Sequence, residues 1–150
     1  MDSETDFVLR PPQTPEELAA YFDLRWRILR APWNQPRGSE KDEFEQAAVH
    51  LMALEAKTNE LAGVGRLHFP TSLQAQVRFM AVAPEWRGKG VGGLILGELE
   101  RLAREKRVSE IVLNGRENAI QFYQKRGYAV EGPAPTLFGN ILHFKMRKIL

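Results

Sequence analysis

The stretch Arg87-Gly88-Lys89-Gly90-Val91-Gly92-Gly93 decides the fold of this chain. Alternating apolar and polar residues from Leu73 to Ala83 predict a strand before it, and apolar residues at helical spacing from Val91 onward predict a helix after it. Glycines at such a turn leave backbone N–H groups open to a ligand, and the helix dipole adds positive potential there. Arg87 and Lys89 add full charges, so the turn predicts a binding site for the pyrophosphate of a small molecule.

The spacing of the glycines limits which pyrophosphate-containing ligands this turn is expected to bind. The triphosphate motif G-x-x-x-x-G-K-[ST] does not occur in the sequence. Gly88 to Gly93 contains G-x-G-x-x-G, but the next predicted strand ends in Asn114-Gly115-Arg116 and offers no acidic residue for a dinucleotide ribose. The pattern that fits this turn best is R-x-x-G-x-G after an apolar strand, made by Arg87, Gly90 and Gly92. A turn that serves only close packing of helix on strand is the alternative.

A second motif follows the first at a characteristic distance. It reads Ala119-x-x-Phe122-Tyr123-x-x-x-Gly127-Tyr128 and lies on a short predicted helix, Asn118 to Arg126, that Gly127 ends. Together the two motifs resemble those of the GNAT superfamily of acyl-CoA-dependent N-acyltransferases, in particular a small bacterial single-domain branch. Two motifs at the family's usual separation are far more specific than either alone.

The rest of the chain is similar to the same fold in its order of elements. Thr14-Pro15-Glu16-Glu17 predicts a helix start, and the helix runs to about Arg30. The resemblance implies an α/β (α+β) GNAT fold with a mixed six- to seven-stranded central sheet and about four helices, residues 1–150 forming a single domain.

The other expected elements are a short helix or turn at 41–46, hairpin strands at 50–56 and 61–69, and strands at 111–113, 128–130 and 141–146. The helix faces expected to be buried are Leu18, Phe22 and Leu29 in the first helix, and Val91, Leu94, Ile95, Leu99, Leu102 and Ala103 in the helix after the glycine turn, with Glu100 pairing Arg104 on the opposite face.

Composition permits this interpretation. The 150 residues contain no cysteine, which excludes disulfides and thiolate metal sites and fits a cytoplasmic location. Neither a membrane span nor a signal peptide is predicted. Residues 1–100 carry 11 Lys and Arg against 15 Asp and Glu, and residues 101–150 carry 10 against 4. Most of the basic residues fall on a predicted solvent face, so no nucleic acid or membrane partner is expected.

The resemblance implies a mechanism in which acetyl-CoA is the acyl donor and a primary amine attacks it directly in a ternary complex, without a metal. Backbone groups of Met80, Ala81 and Val82 would pair with the pantetheine arm, and one N–H would stabilise the oxyanion. The pyrophosphate would lie on Arg87, Gly88, Lys89, Gly90, Val91 and Gly92. Tyr123 occupies the family's tyrosine position and would protonate the leaving thiolate.

The general base is less defined by the sequence. The candidates are the acidic residues Asp42, Glu43 and Glu45 and the histidines His50, His68 and His143. The ending Ile141-Leu142-His143-Phe144-x-Met146 resembles that of the same bacterial branch, as does an Asp-x-x-Glu stretch shortly before a histidine. These likenesses favour His143 and His50, and together with Tyr123 the expected catalytic residues are His143 and Glu45. Arg116 departs from the family, which often has Asn there.

The acceptor is left open by the sequence. Glu40, Asp42, Glu43 and Glu45 would favour a cationic amine if they faced the site, or they form a solvated face. Two other functions are alternatives: a GNAT-fold module that binds acyl-CoA without turnover, as a sensor or partner, and a nucleic-acid-associated protein. Homodimerisation is also left open.

Overall fold

The computed structural model describes residues 6–150 of the chain. These residues form seven strands and three α-helices, joined by turns and short 3-10 segments. The strands are β1 Phe7–Arg10, β2 Val49–Glu55, β3 Leu61–Thr71, β4 Gln74–Val82, β5 Glu110–Arg116, β6 Ala129–Leu137 and β7 Ile141–Ile149. The helices are α1 Pro15–Leu29, α2 Val91–Glu105 and α3 Ile120–Gln124.

All seven strands belong to one sheet, in the order β1-β2-β3-β4-β5-β7-β6. Only the β4–β5 pair is parallel, so the sheet is mixed as expected. The expected α/β fold class is confirmed, with three helices rather than about four, because residues 43–47 form turns. Within residues 6–150, no helix is both long enough and apolar enough to cross a bilayer.

Helix α1 begins as the sequence indicates but buries a different face. Thr14 is the N-cap, and its side chain accepts a hydrogen bond from the Glu17 N–H at 3.1 Å. The expectation that Leu18 is buried was wrong, since it is 41% exposed. The residues that contact the sheet are Tyr21, Leu24 and Arg25. Polar Tyr21 and Arg25 are accepted there because the Tyr21 hydroxyl and both terminal nitrogens of Arg25 have hydrogen-bond partners. The Nε of Arg25 has no partner within residues 6–150.

Helix α2 packs on the opposite face of the sheet. The expectation that Leu94 is buried was wrong, since it is 44% exposed. Leu96, which lies about half a turn further round the helix, is buried instead. The expected Glu100–Arg104 pair is also wrong, because the buried Glu100 accepts from Tyr128 Oη at 2.9 Å and from Lys148 Nζ at 3.1 Å. Glycines on β3 let the helix approach closely. A Cβ on Gly65 would lie 2.6 Å from a methyl of Ile95.

A bulge in β4 shapes the site. Phe79 has a φ of +58°, and the β3–β4 register shifts between the Val64 and Arg66 pairs. Bulges bend a strand and increase its local twist. On its other side β4 pairs with β5 only over Gln74–Gln76, so the two parallel strands separate beyond that point.

Candidate active site

A cavity of about 430 Å³ occupies the gap between the separating strands. Residues 76–82 of β4 form one wall, and Leu113, Asn114 and Arg116 of β5 form the other. The C-terminal end of α1, Tyr123 of α3 and His143 of β7 complete it. The parallel strands thus open toward their carboxyl ends, which is where ligands bind in open α/β sheets.

The glycine turn lies where β4 leads into α2. Gly90 is the N-cap of α2 with a φ of +81°, and Gly88 has a φ of +77°. No side chain caps this helix, and a Cβ on either glycine would meet nothing within 4 Å. The first N–H groups of α2 are therefore open to a ligand, at the positive end of its dipole. Arg87 of the same turn lines the cavity.

Along β4, the backbone N–H and C=O groups of successive residues point alternately toward β3 and away from it. The Ala83 N–H donates to the Ala62 carbonyl at 2.8 Å, so residue 83 faces β3. Ala81, two residues earlier and opposite Val64, faces β3 as well. The N–H and C=O groups of Met80 and Val82 then face the gap, where β5 no longer pairs.

Tyr123 brings a phenol to the cavity from α3. Its side chain is 9% exposed, and its hydroxyl lies 3.9 Å from the Met80 sulfur. Burial raises the pKa of Tyr123 to about 12, although the positive charge of Arg116 opposes the rise. The phenol therefore keeps its proton at neutral pH. A thioether is a weak acceptor, so the proton remains available to a stronger base in the cavity.

His143 also lines the cavity and is 8% exposed. Its Nδ1 lies 3.0 Å from the Ile141 carbonyl oxygen, which can only accept, so Nδ1 carries the hydrogen. Burial lowers the pKa of His143, and the charges of Arg116, Arg30 and Arg78 lower it further, against the hydrogen bond to Ile141. The imidazole is then neutral at pH 7 and has a lone pair on Nε2.

Glu45 is not among the residues that line the cavity. Its carboxylate accepts from Arg25 Nη1 at 3.0 Å and from Arg66 Nη1 at 2.9 Å, and both arginine side chains are fully buried. Asp42 holds the other side of Arg66 with two contacts, at 2.6 and 3.0 Å. The structure thus brings Tyr123 and His143 together and places Glu45 in a separate ion-pair network.

The other candidate bases have hydrogen-bonded or exposed positions. His50 donates from Nε2 to the Glu45 carbonyl at 2.7 Å and accepts on Nδ1 from Tyr21 at 2.8 Å, so both ring nitrogens are occupied. The ring of His68 stacks on Phe44, and its Nδ1 lies 3.1 Å from Arg66. Neither histidine lines the cavity, nor does Asp42 or the exposed Glu43.

Sequence reasoning missed the arginines that gather around Phe79. The guanidinium carbons of Arg25, Arg78 and Arg66 lie 4.4, 4.5 and 4.9 Å from the ring centroid, and that of Arg30 lies at 5.5 Å. An arginine on an amphipathic helix ordinarily faces solvent, so nothing in the local pattern marks Arg25 or Arg30 as buried.

Known proteins resemble this chain in sequence. The family model described as the acetyltransferase (GNAT) family matches residues 18–128. The protein named uncharacterized N-acetyltransferase YjcF from Bacillus subtilis is 29% identical over 133 residues, covering 89% of this chain and 93% of that protein.

Solved structures show the same fold. An acyl-CoA N-acyltransferase from Pseudomonas aeruginosa has a TM-score of 0.79 at 20% identity and covers 96% of this chain and 99% of its own. A GNAT family acetyltransferase from Elizabethkingia anophelis, solved with acetyl-CoA bound, has a TM-score of 0.73 at 16% identity and covers 99% of this chain and 100% of its own. At these identities the likeness concerns the fold alone.

Proposed function

The chain belongs to the acetyltransferase (GNAT) family, and from this premise we propose that it transfers an acetyl group from acetyl-CoA to a primary amine by direct attack in a ternary complex. One observation carries the proposal. The gap between β4 and β5 joins the open glycine turn to a buried phenol and a neutral imidazole in one cavity. Direct transfer needs a donor site and a proton acceptor and donor together, with no protein nucleophile between them.

The turn and β4 would hold the donor. Open N–H groups of the turn, with Arg87 and Lys89 beside them, suit a pyrophosphate. The backbone groups of Met80 and Val82 that face the gap would pair with the amides of the pantetheine arm, as an added strand does. One of these N–H groups would also donate to the thioester carbonyl oxygen and stabilise the negative charge that develops there.

Two side chains would move the protons. The amine nitrogen forms the new bond to the acetyl carbon, and His143 Nε2 accepts the proton that the nitrogen loses. The bond from carbon to sulfur then breaks, and Tyr123 donates its proton to the leaving thiolate. General acid and base groups of this kind each contribute about 100-fold or more. Glu45 would act indirectly, by holding Arg25 and Arg66 behind the β4 bulge.

Replacing Gly90 with glutamate is expected to weaken acetyl-CoA binding at least tenfold. The new carboxylate repels the pyrophosphate, and a side chain at a φ of +81° strains the turn. Isothermal titration of the purified protein with acetyl-CoA measures the loss. Gly139→Glu is the matched control, because Gly139 has a φ of +82° and equally open space but lies in the β6–β7 turn. Equal binding by Gly90→Glu and wild type would contradict the assignment of the turn.

A second prediction concerns pH. Measured at saturating acetyl-CoA and acceptor, kcat should fall as the pH drops through the pKa of His143, which lies below its ordinary 6.5. In His143→Gln this acid limb should disappear and kcat at pH 7 should drop by about 100-fold. His68→Gln, which changes an imidazole outside the cavity, should keep the limb. An unchanged acid limb in His143→Gln would exclude His143 as the base.

Binding and turnover together separate the enzyme from a sensor. Acetyl-CoA binding followed by release of CoA on addition of an amine supports the enzyme. Tight binding with no release over a broad amine panel would favour the non-catalytic module, for which Tyr123 would be dispensable.

A further inference from the structure

The charged side chains that line the cavity are all arginines. They are Arg30, Arg78, Arg87 and Arg116, and no aspartate or glutamate is among the lining residues of the described chain. Arg87 belongs to the glycine turn. The other three, with His143, form what we call the basic end of the cavity. All three arginines lie close enough to His143 for their charges to lower its pKa, in addition to the larger effect of burial.

Arg116 is the least occupied of the three. Within residues 6–150 its guanidinium has no hydrogen-bond partner, and it stacks over the ring of Trp33 at 4.6 Å. It stands on β5 directly opposite His143 of β7. Stacking on an aromatic face positions a guanidinium while leaving its in-plane N–H donors free for a planar anion.

Arg30 and Arg78 make hydrogen bonds, but neither has a carboxylate of its own to balance its charge. Arg30 donates to two backbone carbonyls, of Ser39 at 2.8 Å and of Leu29 at 2.9 Å. Arg78 reaches Asp42 at 2.8 Å, but Asp42 is already held by two contacts from Arg66. Both guanidiniums therefore present positive charge that no carboxylate of their own balances.

The surrounding carboxylates do not balance this charge. Asp42 and Glu45 are shared among Arg25, Arg66 and Arg78. Glu40, the third acidic side chain nearby, accepts from the Gly38 N–H at 2.7 Å and only attracts Arg30 at a distance. Three carboxylates thus face five guanidiniums, those of Arg25, Arg30, Arg66, Arg78 and Arg116. Arg78 is partly exposed to solvent, but Arg30 is buried and Arg116 is half-buried. Buried positive charge without a counterion is unfavourable, so this end of the cavity favours an anion.

Resting on the proposed acetyl transfer, we infer that the acceptor is an amine that also carries an anionic oxygen group, a carboxylate or a phosphate, which binds Arg116 and Arg30 while the amino group meets His143. None of the four acidic residues that the sequence offered for a cationic amine lines the cavity. Asp42 and Glu45 are engaged by arginines, and Glu40 accepts from a backbone N–H. A guanidinium fork accommodates either anionic group with two parallel hydrogen bonds.

Matched pairs of amines test the inference. CoA release is measured with amino acids beside their carboxamides, with O-phosphoethanolamine beside ethanolamine, and with spermidine and kanamycin as polycations. We expect kcat/KM at least about tenfold higher for the anionic member of one pair, and which pair shows it distinguishes carboxylate from phosphate. A preference for the uncharged members or the polycations, or failure of every anionic amine to be acetylated, would overturn the inference.

Variants of Arg116 connect the preference to the residue. In Arg116→Gln the ratio of kcat/KM between the two members of the preferred pair should fall to near 1, mainly through KM, whereas Arg116→Lys should keep part of it. Arg104→Gln removes the same charge from the exposed face of α2 and should leave the ratio unchanged. An unchanged ratio in Arg116→Gln would overturn the role of Arg116.

Acetyl-CoA titration separates this inference from the proposed function. Binding of acetyl-CoA together with turnover of uncharged or cationic amines would leave acetyl transfer standing and remove only the anionic acceptor. Absence of acetyl-CoA binding by the folded wild type would remove both.

Discussion

Replacing Arg66 with methionine is expected to lower the free energy of unfolding by about 3 kcal/mol, because it leaves enclosed carboxylates without their main partner. Arg66 is fully buried and contacts Asp42 at 2.6 and 3.0 Å and Glu45 at 2.9 Å. Burial alone would raise the pKa of Asp42, but the hydrogen bond from Arg66 and other attractions lower it to about 2. The Asp42 carboxylate is then ionised at neutral pH. Urea unfolding at pH 7 measures the loss.

The matched control is Arg101→Met on the surface of α2. Arg101 also contacts two carboxylates, those of Glu98 at 2.8 Å and Glu105 at 2.5 Å, but its side chain is 55% exposed. Because exposed ion pairs are screened by solvent, the control should lose far less stability than Arg66→Met. Adding Asp42→Asn alone to Arg66→Met should restore part of the stability, because Asp42 then no longer lacks its main partner while Glu45 still pairs with the buried Arg25. Equal losses for Arg66→Met and Arg101→Met would show that burial of the network is not what makes it stabilising.

Replacing Tyr123 with phenylalanine is expected to lower kcat by about 100-fold while leaving the Kd of acetyl-CoA nearly unchanged. The substitution keeps the ring and its edge contacts with Phe122 and Tyr128, so packing is retained. Only the proton that the leaving thiolate needs is lost. Stopped-flow or steady-state CoA release gives kcat, and titration gives Kd, so an effect on chemistry is separated from one on binding.

Tyr128→Phe is the matched control. Its hydroxyl is also buried and donates to Glu100 at 2.9 Å, but Tyr128 does not line the cavity. Its removal should lower stability by about 1 kcal/mol and leave kcat within about twofold of wild type. If Tyr123→Phe kept a kcat within threefold of wild type, another group would have to supply the proton.

Much of the fold was predictable because its signals are local. Thr14 with Glu17, the alternation in β4 and the spacing of apolar residues in α2 each depend on neighbours a few residues apart. The errors at Leu18 and Leu94 arose where the sheet, rather than the helix pattern, decided which side is covered. Glu100 was misassigned for the same reason, since its partners Tyr128 and Lys148 are 28 and 48 residues away.

The site divides in the same way. The glycine turn and Tyr123 belong to short motifs that the sequence displays directly, and their roles stay predictions until the experiments above are done. The choice among six candidate bases had only the resemblance of two short stretches to guide it, because it depends on which side chains line the gap between β4 and β5. Only the three-dimensional arrangement puts His143 there and ties Glu45 and His50 into hydrogen bonds elsewhere.

By itself, therefore, the sequence determined the order of strands and helices, the glycine turn before α2 and the family resemblance, because backbone preferences and apolar periodicity act over short distances. The tertiary structure alone decided the electrostatics of the cavity. Asp42 meets Arg66 and Arg78 across 24 and 36 residues of chain, and such pairs depend on sheet register and on the bulge at Phe79. These long-range pairs engage Asp42 and leave Arg30 and Arg116 lining the cavity. A chain with a net charge of only +2 therefore has a strongly basic cavity.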